Sequence, residues 1–285
     1  MKMKSSTLLI LSVILLFIVV TSIVTYKNIP LQASMVEPKI TKFCVISNAQ
    51  GNYDNTQVFV NYCRANKADA VIIAGDMAQH WRDTKNIPDD EEIKTVVGMI
   101  AGLGVPVYVI PGHMEVKSSY EPVMKELTAR YSNIVDMTRV RVVDRGDIRL
   151  VSLPGYDIPG EVDVDGYLIG KTEIDHMGEL VSGLKSPIIL ISFRLPLYSN
   201  DIAAKVIDEL QINFSVGGDV QSSKVEASDD AGGIVLPGVW SRQLHVNVGT
   251  ANGWVMSNGV RVKGLATMLY FRDDNYAKYE PISLE

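Results

Sequence analysis

Short apolar runs and amphipathic segments alternate along this chain. Apolar runs and two-residue alternation predict strands at residues 40–46, 70–74, 105–110, 139–143, 148–153, 187–192, 212–216, 233–236, 245–248, 259–262 and 265–271. Apolar positions at helical spacing predict helices at residues 53–66, 88–102, 120–131, 171–184 and 201–210. Asp54 or Asn55 is expected to cap the first helix, since either side chain can accept a backbone N–H there.

The order of these elements predicts one α/β domain at residues 40–285. Strand and helix alternate in the first half, which is typical of a parallel sheet with helices on its faces. The run at residues 70–74 is apolar at every position, as expected for a strand covered on both faces. The later part is richer in strands, and we expect an antiparallel second half.

The N-terminal region is the most apolar part of the chain. Residues 7–24 carry no charge and as a helix would span roughly 27 Å, close to the thickness of the hydrocarbon layer. Lys2 and Lys4 favour a short cytoplasmic N-terminus at residues 1–6. We therefore predict a transmembrane anchor at residues 7–25 and a linker at 26–39, with the C-terminal domain outside the cytoplasm. The alternative is a cleaved signal peptide and a secreted protein.

Composition and charge narrow the class of protein. The 285 residues are 47% hydrophobic and 21% charged, which is ordinary for a globular domain with a large core. The net charge of -6 argues against nucleic acid as a partner, because phosphate binding needs a basic face. Cys44 in the first strand and Cys63 on the following helix are expected to be small buried hydrophobes. A single bridge between them is the alternative.

Polar side chains follow three of the predicted buried strands. Asn48 and Gln50 follow the first strand, Asp76 the second and His113 the third. Ligands of α/β proteins bind at the carboxyl ends of strands. The sequence therefore predicts a candidate site at this edge of the sheet.

Five strand-end motifs resemble, in order and spacing, those of the calcineurin-like metallophosphoesterases. The family motifs are D-x-H-G-N, G-D, G-N-H-D/E, a single later His, and G-H-x-H. They align here with residues 48–52, 75–76, 112–115, 192–193 and 217–220. The resemblance covers residues 40–271. It implies a four-layer α/β/β/α sandwich with a two-metal site on its strand-end loops.

The resemblance also assigns a role to each aligned position. In that family two metal ions, bridged by one carboxylate, clamp the phosphate and generate a hydroxide nucleophile. The bridging position is Asp76, and the general-acid position is Met114, which has no proton to transfer. The other metal-site positions are Asn48, Gln50, His113, Phe193, Gly218 and Val220. Most of them are poor ligands or none, since amides bind divalent metals weakly and Phe, Gly and Val have no ligating side-chain atom.

The resemblance therefore implies the four-layer fold of the family without its two-metal hydrolysis. We expect a pseudoenzyme that serves as a binding or structural module and needs no cofactor. Asp76 would then cap its loop, and His113 would fill the vacated pocket. One alternative is an active phosphoesterase with a remodelled site, in which Asp76, His113, Asp219 and Glu115 hold one Mn, Fe or Zn ion. Another is a subunit of a surface assembly, whose apolar substitutions contact a protein partner or a second copy.

Overall fold

The computed structural model describes residues 37–79, 89–146, 148–156, 158, 164–183, 187–194, 210, 212–218, 224–255 and 261–284. Lys39–Glu285 form one compact unit. The predicted anchor at residues 7–25 lies outside the described residues, as does the predicted helix at 201–210 except for its last residue. Within the described ranges, no helix has the length and apolar character needed to cross a membrane.

The described part of the chain contains fourteen strands and four helices. The strands are β1 (Ile40–Ile46), β2 (Ala70–Ala74), β3 (Val107–Ile110), β4 (Ile134–Asp136), β5 (Val142–Asp144), β6 (Arg149–Leu153), β7 (Ile188–Ser192), β8 (Phe214–Gly217), β9 (Glu226–Ser228), β10 (Leu244–Asn247), β11 (Trp254–Val255), β12 (Arg261–Val262), β13 (Leu265–Arg272) and β14 (Tyr276–Ser283). The helices are α1 (Tyr53–Ala65), α2 (Asp89–Ala101), α3 (Lys117–Arg130) and α4 (Lys171–Val181).

Two six-stranded sheets make up the fold. The first has the order β14-β13-β1-β2-β3-β4, in which β1 to β4 are parallel and β13 and β14 are antiparallel additions. The second has the order β5-β6-β7-β8-β10-β9. Strands β11 and β12 form a small separate hairpin. The mixed α/β fold expected from the sequence is confirmed.

The two sheets face each other, and helices cover their outer faces. Strand β1 shows how the sequence produces this arrangement, because its side chains alternate between two cores. Phe43 and Val45 belong to the core between the sheets. Cys44 and Ile46 belong to the core under helices α1, α2 and α3. A third core lies between the second sheet and α4, so the layers follow the order helix, sheet, sheet, helix.

Three local predictions are wrong. Helix α1 is capped by Asn52 and not by Asp54 or Asn55: the Asn52 side chain accepts the Asn55 N–H at 3.0 Å, because the helix begins directly after it. The second half is not antiparallel throughout, since β6, β7, β8 and β10 are parallel and the antiparallel pairs lie at the two edges. Residues 233–236 are not a strand but make one isolated bridge, between Ile234 and Ser228.

Cys44 and Cys63 form a disulfide, so the expectation of two free buried cysteines is wrong. The sequence pattern predicted one cysteine on the first strand, β1, and the other on the following helix, α1. The bridge joins these elements across a Cα–Cα distance of 6.0 Å, and both residues are buried. A separation along the sequence does not fix a distance in space, which is why the sequence left this pairing open.

Removing this disulfide is expected to lower the free energy of unfolding by about 3 kcal/mol, because the bridge closes a loop in the unfolded chain. The sequence separation of the two cysteines is 19. Chemical denaturation of Cys44→Ala/Cys63→Ala, compared with the oxidised wild type, measures the loss. Reductant present throughout unfolding should destabilise the wild type and leave the double variant unchanged. Equal stability of the oxidised wild type and the double variant would contradict the expectation.

Candidate functional site

The carboxyl ends of the parallel strands of both sheets meet at one edge of the domain. Backbone hydrogen bonds join the loops there. The Asn48 N–H donates to the Gly75 carbonyl at 3.1 Å, and the Asn252 N–H donates to the Asn48 carbonyl at 2.9 Å. The Gly218 N–H donates to the Phe193 carbonyl at 2.8 Å in the same way. The motif loops that the sequence pointed to therefore form one connected surface.

The amides after β1 are held by neutral partners. The Asn48 side-chain N–H groups donate to the Gly218 carbonyl and, at 3.1 Å, to Ser47 Oγ. Gln50 Oε1 accepts a hydrogen bond from Asn252 Nδ2 at 3.0 Å. A carbonyl oxygen only accepts, so the amide nitrogen of Asn48 must point toward Gly218. The side chains at this position therefore form a network of neutral amide groups.

Asp76 and His113 lie together at the centre of the edge. Asp76 Oδ2 is 2.9 Å from His113 Nδ1, and the carboxylate is fully buried while the imidazole is partly exposed. Asp76 Oδ1 accepts the Met114 backbone N–H at 3.1 Å. The carboxylate thus holds the loop after β3 and contacts the imidazole of His113.

Glu115 connects the loops after β2 and β3. Its Oε2 accepts backbone N–H groups from Asp76 at 2.9 Å and Gly112 at 2.6 Å. Its Oε1 accepts those of Met77 at 2.6 Å and Ala78 at 3.2 Å. The buried carboxylate thus provides acceptors for four backbone N–H groups that have no partner in either β-sheet. Glu115 is therefore a structural residue of these loops and not an open metal ligand.

The pKa of Glu115 is raised from 4.5 to about 7. Burial is the main cause, and the charge of nearby Asp76 adds to it. The backbone N–H donors act in the opposite direction and lower the pKa. The fold therefore binds the Glu115 proton more tightly than the unfolded chain does.

An aromatic cluster occupies the space beside Asp76. The ring of Phe193 is fully buried, and its centroid lies 5.3 Å from that of His113 and 5.9 Å from that of Tyr156. Phe193 also presses on Gly75: a Cβ added there would lie 2.5 Å from Phe193 Cδ2. No L side chain fits at Gly75, whose φ is +83°, so this glycine is needed for both reasons. Phe193 thus fills the site with hydrocarbon.

The loops keep an unusual backbone despite these changes. Asn48, Gln50 and Asp76 have φ of +52°, +45° and +55°. Side chains other than glycine adopt such angles rarely, and conformations of this kind cluster at functional sites. The backbone of these loops therefore has the geometry typical of a functional site. The side chains that it carries differ from those of the metal-binding motifs that the sequence resembles.

A metal ion does not fit the described part of this frame. Phe193 offers no ligating atom, the side-chain oxygen of Gln50 accepts a hydrogen bond from Asn252, and both Glu115 oxygens accept backbone N–H groups. Among the residues that the structure describes, no three His, Cys, Asp or Glu side chains gather as a metal site. Asp219 and Val220 of the predicted set lie outside the described residues.

A second polar row lies in the other sheet. Ser215 Oγ is 2.8 Å from His245 Nδ1, and His245 Nε2 is 2.6 Å from Asp230 Oδ1. The residue types are those of a nucleophilic triad. Ser215, however, is buried on a central strand, where no substrate can reach it. The row satisfies buried polar groups.

Sequence reasoning missed two residues of the strand-end site. Asn252 comes from the Gly-rich loop after β10, and Tyr156 from the loop after β6. Turn residues in the sequence predicted both loops. Only the folded structure shows that the two loops lie at the edge that carries the strand-end site. Glu115 was identified as a possible ligand; its four backbone contacts could not be read from the motif.

The sequence matches a known family over most of the domain. Residues 41–220 match the family described as calcineurin-like phosphoesterase. Comparison with curated proteins gives no match.

Several solved structures share the fold. Protein TT1561 of Thermus thermophilus has a TM-score of 0.61 at 13% identity, over 87% of this chain and 100% of that one. A dimetal phosphatase from Danio rerio has a TM-score of 0.56 at 11% identity, over 87% and 100%. GAP50, described as the anchor in the inner membrane complex of Plasmodium, has a TM-score of 0.53 at 9% identity, over 86% and 85%. At these identities the likeness concerns the fold alone.

Proposed function

This chain belongs to the calcineurin-like phosphoesterase family, and from that membership we propose that it has lost two-metal phosphoester hydrolysis. The observation that carries the proposal is the fully buried ring of Phe193. It occupies a position where the family has a metal-binding histidine, and hydrocarbon can neither ligate a metal nor accept a proton. The intact loops would then serve as a binding or structural module.

We further propose that the domain works outside the cytoplasm, attached by residues 7–25. The Cys44–Cys63 disulfide supports this location, because structural disulfides persist in oxidising compartments. The uncharged N-terminal run supports the anchor. Secretion after cleavage of that run is the alternative.

A turnover assay tests the loss of hydrolysis. The full-length chain in detergent, supplied with Mn, Fe or Zn, is expected to hydrolyse phosphate mono- and diesters no faster than the metal alone. Asp76→Ala should give the same rate, and so should Asp54→Ala, an exposed carboxylate on α1 that serves as control. Metal-dependent turnover that Asp76→Ala abolishes and Asp54→Ala retains would overturn the proposal.

That outcome would favour the second candidate, an active phosphoesterase with a remodelled site. The contact that favours it is the 2.9 Å approach of His113 to Asp76, which pairs two ligand-type side chains. A subunit of a surface assembly is a third candidate. This candidate is motivated by the similarity of the fold to that of GAP50. The description as an anchor applies to GAP50 itself.

A further inference from the structure

Within the described part of the chain, the second sheet has an open edge. Strand β9 is the last strand in the order of that sheet. A short extended stretch, which we call the edge segment (residues 233–236), pairs with β9 through the bridge between Ile234 and Ser228. In the same described ranges, no strand pairs with the outer side of the edge segment. An open edge of this kind can accept an added strand from another chain.

The backbone of the edge segment has hydrogen-bonding groups that the fold does not use. The Gly233 carbonyl and the Val235 N–H make backbone hydrogen bonds toward β9, of 2.9 Å and 3.0 Å. Successive residues of an antiparallel strand direct these groups to opposite sides, so the N–H and the carbonyl of Ile234 point away from β9. Neither of them, nor the Leu236 N–H, has a hydrogen-bond partner among the described residues. A second extended backbone would supply matching acceptors and a matching donor.

The side chains of this edge are apolar rather than charged. Positions 233–236 are occupied by Gly, Ile, Val and Leu. The side chains of Ile234 and Leu236 are 85% and 63% exposed. Pro237 follows the segment and limits the length of backbone that can pair. The edge segment is therefore short, accessible and suited to contact with apolar side chains of a partner.

A cavity of about 430 Å³ opens beside the edge segment. Its wall includes the buried side chains of Val225, Ala227, Val235 and Tyr279. The Tyr279 hydroxyl donates to the Val235 carbonyl at 3.0 Å, so the polar atom of this ring already has a partner. A cavity of this size is within the range that holds the apolar groups of a ligand. Alternate side chains of an added strand would point to the same face and could reach it.

Carboxylates outnumber basic side chains around the edge segment. Residues 224–236 contain Lys224 against Glu226, Asp229 and Asp230. Lys224 Nζ lies 2.6 Å from Glu226 Oε1, so these two charges balance each other. Neither Asp229 nor Asp230 pairs with a Lys or Arg side chain among the described residues. The charge of this edge therefore favours a partner that carries basic side chains beside its apolar ones.

We propose that the edge segment binds an extended peptide segment of a partner protein, which adds to the second sheet as an outer strand. The partner is recognised by alternating apolar side chains with basic residues next to them. The backbone of Ile234 provides the pairing, the cavity takes an apolar side chain, and the two aspartates attract the basic ones. This surface includes neither Asp76 nor Phe193, so the proposal goes beyond the loss of hydrolysis and does not depend on it.

Fluorescence anisotropy with a synthetic peptide tests the pairing. The probe is fluorescein-labelled Lys-Val-Thr-Val-Thr-Val-Lys, which has a basic residue at each end and can pair in either direction. The full-length chain in detergent is titrated into the labelled peptide, with detergent alone as the blank. We expect saturable binding that weakens when salt is raised and when both lysines are replaced by glutamine.

Two variants at one position separate the backbone contact from the side-chain contact. Ile234→Pro removes the outward N–H, and proline is tolerated at sheet edges. We expect it to weaken binding by about 10-fold or more, because a donor is lost from the pairing. Ile234→Val keeps the N–H and a branched apolar side chain, so its affinity should stay within about two-fold of wild type. Circular dichroism shows whether both variants are folded. If Ile234→Pro does not fold, Leu236→Asp gives the comparison from an exposed position.

Methylated peptides test the pairing without changing the protein. Alternate N–H groups of an extended peptide point to opposite sides, so methylation of one alternate set should abolish binding while methylation of the other set should not. Equal binding of the two methylated peptides overturns the proposal, as does binding that survives Ile234→Pro or Leu236→Asp. Absence of binding by the folded wild type also overturns it. A wild-type dimer in sedimentation that becomes a monomer in Ile234→Pro would replace the peptide with a second copy of this chain.

Discussion

Glu115→Gln is expected to lower the free energy of unfolding by about 4 kcal/mol, because an amide nitrogen cannot accept the backbone N–H groups that a carboxyl oxygen accepts. Four such groups converge on Glu115, two on each oxygen. Whichever way the glutamine is turned, two buried donors lose their acceptor. The loops after β2 and β3 would separate at the point where Asp76 is held.

Urea denaturation of the variant against the wild type measures this loss. Glu179→Gln is the matched control, since that side chain is exposed on α4 and its replacement should change stability little. If Glu115→Gln were as stable as the control, Glu115 would not be the structural residue described above.

The stability difference between wild type and Glu115→Gln should also depend on pH. The pKa of Glu115 in the fold, about 7, lies above its ordinary 4.5. A raised carboxyl pKa contributes stability that is complete below about pH 4.5 and is lost as pH rises through about 7. The glutamine has no such titration, so the deficit of the variant is expected to shrink between pH 5 and pH 8. A deficit that grows over this range would contradict the direction of the shift.

Phe193→Ala is expected to lower the free energy of unfolding by about 3 to 5 kcal/mol, through lost burial and the cavity left behind. The ring is fully buried and packs against His113, Tyr156 and Gly75. Phe193→Leu fills most of that volume and should lose only about 1 kcal/mol. Thermal and denaturant unfolding of the two variants gives the comparison. An alanine variant as stable as wild type would mean that the ring does not fill the site.

The repeating first half of the fold could be predicted because local pattern and tertiary environment agree there. Strand β2 is apolar at every position and is buried at every position, and β1 has the predicted bounds. The antiparallel strand β14 was missed, since polar residues such as Lys278 and Glu280 interrupt its apolar pattern. The parallel centre of the second sheet was misjudged because strand direction depends on connections, and periodicity does not report them.

The location of the site could be predicted from the sequence, but the contacts between its residues could not. Because Asp76 and His113 follow predicted strands, the sequence placed both at one edge of the sheet, where they lie together. The role of Glu115 depends on donors from two loops that are distant in sequence, with Met77 and Ala78 on one side and Gly112 on the other. Only folding brings those N–H groups together, so the motif could not distinguish a structural carboxylate from a ligand.

Calorimetric titration shows whether the strand-end site can still hold metal ions. The full-length chain, freed of metal with a chelator, is titrated with Mn²⁺ and separately with Zn²⁺, alongside Asp76→Asn. We expect no stoichiometric binding by the wild type and the same weak signal for the variant, because Phe193 and the Asn48 and Gln50 amides leave Asp76 without the other ligands of a closed site. Binding of one or two ions per chain that disappears in Asp76→Asn would contradict it.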